Sequence, residues 1–228
     1  MPGLPGIIFY MSISEIRKIE IKDLLYPALL KEIDNPPKVL YYVGTFPPKD
    51  LYPLAIVGSR QSDNYGESVI KHILSSEILD QILIISGLAL GIDTAAHKIA
   101  KHTIAVLGTG LDEASFYPKE NWPLCQKIIA SGGLVLSEYP AGTKACVKNF
   151  PERNRIVAGL SQSVLVIQAK NRSGALITAR LALESGRDVL TVPGSIFNEL
   201  SQGPHKLITD GATPITNSSE LKDFLNLK

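Results

Sequence analysis

Six short, almost continuously apolar runs recur from residue 54 onward, and each is followed by a Gly/Ser-rich turn and a stretch with helical spacing. Strands buried on both faces of a sheet have this composition, whereas half-exposed strands alternate apolar and polar residues. The runs are LAIV (54–57), ILII (82–85), TIAVL (103–107), GLVL (133–136), VLVI (164–167) and DVLTV (188–192). Strands that alternate with helices indicate βαβ units. The sequence therefore predicts an α/β, Rossmann-like, doubly wound fold, with a mostly parallel sheet and helices on both faces.

The two ends of the chain depart from this pattern. Helical patches lie between residues 13 and 33, and PPKVLYYVG at residues 36–44 has the composition of a strand. We therefore expect residues 1–45 to form a short extension packed on a main domain of residues 46–228. The tail, residues 218–227, predicts a short closing helix with Ser218 or Ser219 as its N-cap.

Length and cysteine content exclude several classes of protein. A chain of 228 residues can bury a core without disulfides or metal ions. Cys125 and Cys146 form no CxxC pair, which argues against a structural zinc site or disulfide framework and favours a reducing compartment. No apolar stretch approaches the roughly 20 residues of a membrane span, and no Lys or Arg precedes Arg17. We therefore expect a cytoplasmic location and no membrane partner.

The distribution of charge is more informative than its sum. The whole chain has a formal net charge of +1, whereas residues 144–187 contain eight basic and two acidic residues, a local balance of 8 − 2 = +6. A neutral protein with one basic segment is a candidate for binding a polyanion on one face. Solvated helix surfaces would explain the same count.

Glycines and small polar residues follow four of the predicted strands. Ligands of open parallel sheets bind at the carboxyl ends of the strands, where glycines let backbone N–H groups converge on an oxygen. Because topology brings these loops to one edge, we expect them to bind phosphate together. The candidate residues are Gly58, Ser59 and Arg60, then Ser86, Gly87 and Gly91, then Gly108 and Gly110, and finally Ser173 and Gly174.

The motifs of phosphate and metal enzymes are missing or incomplete. The chain contains no GxxxxGK[ST] and no HExxH, and Gly108-x-Gly110 lacks the third glycine of a dinucleotide fingerprint. Asp93 and His97 stand four apart, which we interpret as a hydrogen bond on a helix surface. Glu138 has no second carboxylate as an acid/base partner. We therefore predict a binding surface without catalytic residues, metal or cofactor.

The stretch KNFPERNR, residues 148–155, combines an aromatic ring, a turn and two arginines. Proteins use this combination to stack an unpaired base while they fix its phosphates. Arg153 and Arg155 do not share one helix face, so we expect one of them to point at the ligand. The other would brace a neighbouring carboxylate such as Glu138. A core position for Phe150 is the alternative.

The chain resembles a known family, the DNA-processing protein A family, also called Smf. The resemblance runs in order over roughly residues 36–215, and FPERNRIVAGLS (150–161) with SGALITA (173–179) is its most specific part. The other matching segments are GSR (58–60), SGLALGIDTAAH (86–97), TIAVLGTGLD (103–112), YPKEN (117–121), GLVLSEYPAGT (133–143) and LITDGA (207–212).

The resemblance implies a Rossmann-like core that binds single-stranded DNA. Members of the family protect incoming DNA during natural transformation (competence), help to load a RecA-type recombinase for DNA recombination, and are usually homodimers; no catalytic step is established for the core. Matched positions imply a DNA groove formed by Ser59, Arg60, Lys148, Phe150, Arg153, Asn154, Arg155, Ser173 and Gly174.

Two positions depart from the family pattern. Gln168 replaces an acidic residue after the fifth predicted strand, and Gly203-Pro204-His205 replaces a late Gly-x-Asn. Two other functions use the same sheet edge: a phosphoribohydrolase-like enzyme that cleaves a glycosidic bond, and a sensor of small nucleotides. The PGGxGT-type loop of the enzyme is absent from the sequence. The apolar spacing of Leu221, Phe224, Leu225 and Leu227 fits either a dimer contact or packing on the chain's own core.

Overall fold

A computed structural model describes residues 15–228, in which nine strands form one sheet with the order β1-β2-β6-β5-β4-β3-β7-β8-β9. Strands β3 to β9 are parallel to one another, while β2 pairs antiparallel with both β1 and β6. The strands are β1 (Arg17–Glu20), β2 (Val39–Gly44), β3 (Tyr52–Val57), β4 (Ile82–Ser86), β5 (Thr103–Leu107), β6 (Leu134–Ser137), β7 (Ser163–Val166), β8 (Asp188–Thr191) and β9 (Thr213–Pro214). The Rossmann-like α/β fold expected from the sequence is confirmed.

Helices cover both faces of the sheet. One face carries α1, α6 and α7, and the opposite face carries α2, α3, α4, α5 and α9. The helices are α1 (Ala28–Lys31), α2 (Asn64–Ile73), α3 (Ser76–Leu79), α4 (Ile92–Ile99), α5 (Trp122–Ala130), α6 (Asn149–Gly159), α7 (Gly174–Glu184), α8 (Gln202–Thr209) and α9 (Ser218–Phe224).

The apolar runs form strands because both sides of each strand are buried. In β3, Ala55 and Val57 pack in the core under α6 and α7, while Leu54 and Ile56 pack on the opposite side. Successive side chains of a strand point to opposite faces, so a strand between two helical layers needs apolar residues at every position. The six predicted strands agree with the observed ones to within one residue, except that β3 begins two residues earlier.

The ends of the chain differ in part from the expectations. Residues 17–20 form an edge strand where helical patches were predicted, since they pair with β2. The predicted strand at residues 36–44 is observed as β2. Residue 13, where the first predicted helical patch begins, lies outside the described residues. The boundary at residue 45 stays a prediction.

The N-cap residue of the closing helix α9 is Asn217, one residue before the Ser218 or Ser219 that the sequence suggested. The Oδ1 atom of Asn217, not a hydroxyl of Ser218 or Ser219, accepts the N–H of Glu220 at 3.0 Å. Leu221 and Leu225 are buried in the core against α2, and Phe224 and Leu227 pack on the same cluster. The apolar face of α9 is therefore used within its own chain.

The strand order reverses beside β3. From β3 the chain continues through β4 and β5 toward one edge of the sheet, and β7 returns to pair with the other side of β3. The carboxyl ends of β3 and β7 consequently diverge into loops on opposite faces, and this opening is where ligands of doubly wound sheets bind. Within residues 15–228, no helix combines the length and the apolar character that a membrane crossing needs.

Candidate nucleic-acid interface

A groove of about 800 Å³ opens at the reversal point between β3 and β7. The loop after β3, the start of α6 and the loop before α7 all line it. Residues of these segments that line it include Gly58, Ser59, Arg60, Gln61, Phe150, Arg153, Asn154, Lys170, Arg172, Ser173 and Gly174. The structure thus brings together the first loop, the FPERNR segment and the helix start of the SGALITA segment, as the sequence predicted.

Three side chains form a cluster of rings and positive charge on one wall of the groove. The Arg60 guanidinium carbon lies 5.0 Å from the ring centroid of Phe150. Tyr117 places its ring 5.8 Å from the same Phe150 ring and is 46% exposed. Such a cluster offers flat faces to a nucleobase and a cation to the adjacent phosphate.

The N-terminus of α7 forms another part of the groove wall. Ser173 is the N-cap residue, but its hydroxyl makes no capping hydrogen bond and has no partner although it is buried. The first N–H groups of a helix have no partner within the helix, and they carry partial positive charge. Arg172 is exposed and forms no ion pair with any residue from 15 to 228. This wall is suited to bind an anion.

Arg153 belongs to the floor of the groove. It is 5% exposed, and its Nη1 donates to the carbonyl oxygens of Gly87 and Val106. Burial lowers its pKa to about 10; Asp93 opposes this shift, and the nearby charge of Arg60 adds to it. Gly87 is required here, because a Cβ at that position would lie 2.2 Å from Arg153 Nη1. Arg153 therefore supports the groove more than it reaches into it.

The second predicted anion-binding loop is already occupied by a carboxylate of the chain itself. Asp93 Oδ2 accepts the N–H groups of Gly87 at 3.1 Å and Ala89 at 3.3 Å. The Ser86 hydroxyl is buried and donates to Ile56 O at 2.6 Å. The expectation that Ser86 and Gly87 present donors to a ligand is therefore wrong.

Gly91 serves the approach of two loops instead of a ligand. Its φ is +78°, and a Cβ there would lie 2.2 Å from Ser59 O. Ser59 O also accepts the N–H of Ile92 at 3.1 Å. Gly91 thus lets the loop after β4 hold the loop after β3 in place, and it is absent from the groove lining.

The interpretation of Asp93 and His97 as a surface pair is also wrong. Both side chains are buried, Asp93 in the floor of the groove, and each has its own partners. The Thr103 hydroxyl donates to Ile84 O, so it accepts from Nδ1 of His97 at 2.8 Å. His97 Nε2 has no partner, and burial lowers the pKa of His97 to about 3 with a smaller contribution from Arg153. Burial conversely raises the pKa of Asp93, and Arg153 opposes this shift.

The third glycine turn supports the groove from behind. Gly108 is buried, and its carbonyl accepts from Asn149 Nδ2 at 3.1 Å beside the Phe150 ring. Gly110 is also buried, and its N–H donates to Thr143 O at 2.8 Å. Neither glycine lines the groove, so the predicted anion-binding role of this turn is not supported by its position.

Arg155 points away from the groove. Its Nη2 donates to both carboxylate oxygens of Glu138 at 2.7 Å. The two side chains are only 17% and 26% exposed. We expected one of the two arginines in FPERNR to brace a carboxylate, and Arg155 is that arginine. Its assignment to the DNA groove is therefore corrected. Lys148 is exposed just before α6 and is not part of the groove lining.

The carboxylates in the groove and next to it are committed to structural contacts. Asp93 holds the loop after β4, and Glu138 holds Arg155. Across residues 15–228, no three His, Cys, Asp or Glu side chains are grouped so that they could hold a metal ion. The arrangement presents donors, cations and rings to an anionic, aromatic ligand.

Comparison with known proteins assigns the chain to a family. The profile of the family described as DNA recombination-mediator protein A matches residues 17–226. The chain belongs to this family. The DNA processing protein DprA of Streptococcus pneumoniae is 45% identical over 205 residues, which are 88% of this chain and 71% of that protein. Protein Smf of Synechocystis is 44% identical over 204 residues, but the chain spans only 50% of its length.

Two solved structures of DprA proteins have the same fold. The X-ray structure of DprA from Streptococcus pneumoniae has a TM-score of 0.85 at 42% identity, covering 92% of this chain and 75% of that one. DNA processing protein A from Helicobacter pylori has a TM-score of 0.80 at 30% identity, covering 93% and 97%. The latter structure was described for its single-stranded DNA binding mode. The DprA/Smf resemblance inferred from the sequence motifs is thereby confirmed.

Tyr117 is an aromatic groove residue of this DprA/Smf chain that the sequence did not predict. It lies in the YPKEN motif, in the long connection between β5 and α5, where no periodicity indicates which side chains meet. An aromatic residue followed by a proline and three polar residues is the signal that was available. Gln61 and Cys146 also line the groove and were not predicted.

Proposed function

We propose that this protein binds single-stranded DNA in the groove between β3 and β7. The observation that carries the proposal is that an Arg60–Phe150–Tyr117 cluster and the uncapped N-terminus of α7 line the same groove. The cluster supplies surfaces for bases, and the helix end with Arg172 supplies contacts for phosphates. Membership in the DprA/Smf family supports the same ligand.

A single strand fits this groove better than a duplex does. Stacking on Phe150 or Tyr117 needs the face of an unpaired base, and a base in a duplex has both faces covered by its neighbours. Stacking surfaces and phosphate contacts also read little sequence, because every base has a π-face. We therefore expect binding with a weak preference among sequences.

The wider role that we propose follows from the family resemblance. The protein would protect incoming single-stranded DNA during natural transformation and help to load a RecA-type recombinase, acting in the cytoplasm as a homodimer. Because α9 buries its apolar face on its own core, that helix offers no support for the dimer. Mass measurement by light scattering tests self-association, and a mass near that of one 24.7 kDa chain at micromolar concentration would contradict it.

One titration separates DNA binding from the two other functions that could use this sheet edge. The intact protein is titrated with a labelled oligothymidylate, the same length of duplex, and a nucleoside monophosphate, and the mixtures are analysed for released base. We expect tight binding of the single strand alone and no released base. The affinity should fall steeply with salt, because lysines and arginines release counterions from phosphates. Salt-independent binding, a preference for duplex, or release of free base would overturn the proposal.

A matched pair of charge variants tests whether the binding takes place in the groove. Arg172→Ala removes an exposed cation from the groove wall, and Lys127→Ala removes an exposed cation from α5 outside it. Only Arg172→Ala should weaken oligonucleotide binding. Equal effects of the two variants would indicate nonspecific attraction to the overall charge.

A further inference from the structure

A second depression adjoins the groove on the side of β8. It has a volume of about 530 Å³, and Gln61 and Lys170 line both it and the groove. The remaining lining comes from residues 195 and 197–200, in the loop that follows β8. Since β8 is the neighbour of β7, this loop lies next to the one before α7 along the same edge of the sheet. A strand bound in the groove can therefore continue into this depression without crossing another element.

The loop holds a large aromatic side chain in solvent on a fixed backbone. Phe197 is 93% exposed. Tyr65 Oη donates to Pro193 O at 2.6 Å, and Nε2 of His205 donates to Gly194 O at 2.9 Å. At the other end of the loop, Asn198 Nδ2 donates to Asp63 Oδ2 at 2.9 Å. The exposed ring is thus attached to a loop that contacts both α2 and α8.

The charges of the depression do not suit a phosphate. Lys170 is the only cation in its lining, and it forms an ion pair with Glu199 at 2.8 Å. The other polar lining groups are the amide of Gln61, the hydroxyl of Ser195 and the amide of Asn198, which is already bonded to Asp63 and to the N–H of Leu200. An exposed ring with amide and hydroxyl groups around it is suited to a nucleobase, which stacks on the ring and bonds through its edge.

We propose that this depression is a base subsite of the single-stranded DNA track, in which Phe197 stacks one further base beyond those held in the groove. The proposal rests on the proposed DNA-binding function, because its ligand is the continuation of the same strand. Continuity through Gln61 and Lys170 favours DNA as the occupant over a partner protein.

The test measures the affinity of Phe197 variants for oligothymidylates of about 4 to 16 nucleotides, the range of site sizes of single-strand binding folds. Phe197→Ala should bind the longer oligonucleotides about 5- to 140-fold more weakly than the wild type, as expected for one lost stacking contact. It should bind the shortest ones equally well, and the slope of affinity against salt should stay unchanged because no phosphate contact is lost. Phe197→Trp should retain the affinity, whereas Phe197→Leu should lose it.

A control and an abasic series complete the test. Leu24→Ala removes an equally exposed apolar side chain that lines neither depression, and it should have no effect. Abasic nucleotides at one end of a long oligonucleotide should weaken wild-type binding and leave Phe197→Ala unaffected. If Phe197→Ala matches the wild type at every length, the subsite is refuted and the exposed ring is left for a protein contact, while DNA binding in the groove stands. If the wild type binds no oligonucleotide, the proposed function itself fails.

Discussion

The guanidinium of Arg60 lies over the ring of Phe150, 5.0 Å from its centroid, at the wall of the groove. This contact places a cation and a stacking surface side by side. Variants of Arg60 and Phe150 should therefore weaken DNA binding in different ways. Arg60→Ala should weaken oligonucleotide binding and lower the salt slope by about 0.7, the value for one phosphate contact on a single strand. Phe150→Ala should cost about 1–3 kcal/mol of binding free energy and leave the salt slope unchanged.

Binding isotherms at several salt concentrations check both variants of this pair. Lys127→Ala, which removes an exposed charge outside the groove, is the control for Arg60→Ala. Because Phe150 is partly buried against Gly108, a melting curve must show that Phe150→Ala is folded. Identical salt slopes for Arg60→Ala and the wild type would mean that Arg60 contacts no phosphate.

Arg155 and Glu138 should matter for stability and little for DNA. Arg155 donates to both oxygens of a carboxylate that is mostly shielded from water, and its Nη1 is buried. Arg155→Ala should therefore lower the free energy of unfolding by about 2 kcal/mol, the range for a hydrogen bond to a charged group. Urea unfolding measures this change, and oligonucleotide binding of the folded fraction should stay near that of the wild type. A large loss of affinity at unchanged stability would assign Arg155 to the DNA.

Arg153 should be the least replaceable residue of the FPERNR segment. Its removal leaves the carbonyls of Gly87 and Val106 without their donor and leaves the buried Asp93 without a nearby positive charge. We expect Arg153→Met, which keeps the length of the side chain, to lower the free energy of unfolding by about 3 kcal/mol or more. Urea unfolding beside Arg172→Ala, which should unfold like the wild type, checks this. Wild-type stability of Arg153→Met would contradict the buried role.

The sequence predicted the sheet well and the site in part, for physical reasons. Strands buried on both faces need apolar residues throughout, so β4 and β5 were recognisable without any tertiary information. The loop after β4 was misjudged because its N–H groups are satisfied by Asp93, which lies in the first turn of α4 and folds back on the loop. Glycines that admit a close contact and glycines that bind an anion look alike in a sequence. Residues two apart on a helix point in different directions, so Arg153 and Arg155 could not both face one ligand. That one of them would instead pair with a carboxylate such as Glu138 was therefore foreseeable.

The buried imidazole of His97 should make the stability of the protein depend on pH. Burial holds the pKa of His97 at about 3 in the folded protein, against about 6.5 in the unfolded chain. Between these values the unfolded chain binds one more proton, so the free energy of unfolding falls as the pH drops below about 6.5. Its slope from this group is at most about 1.4 kcal/mol per pH unit. Asp93, whose pKa burial raises, contributes the opposite slope above its ordinary value of about 3.8.

A variant isolates the contribution of His97 from that of Asp93 and the other titrating groups. His97→Asn keeps an amide that can donate to the Thr103 hydroxyl in place of Nδ1 and removes the titrating ring. We expect this variant to be less stable than the wild type at pH 7. The difference between the two should shrink as the pH falls from about 6.5 to 5, since only the wild type has a histidine at this position that takes up a proton on unfolding. Urea unfolding of both proteins at several pH values measures the difference. Parallel curves would show that His97 titrates alike in the folded and unfolded states.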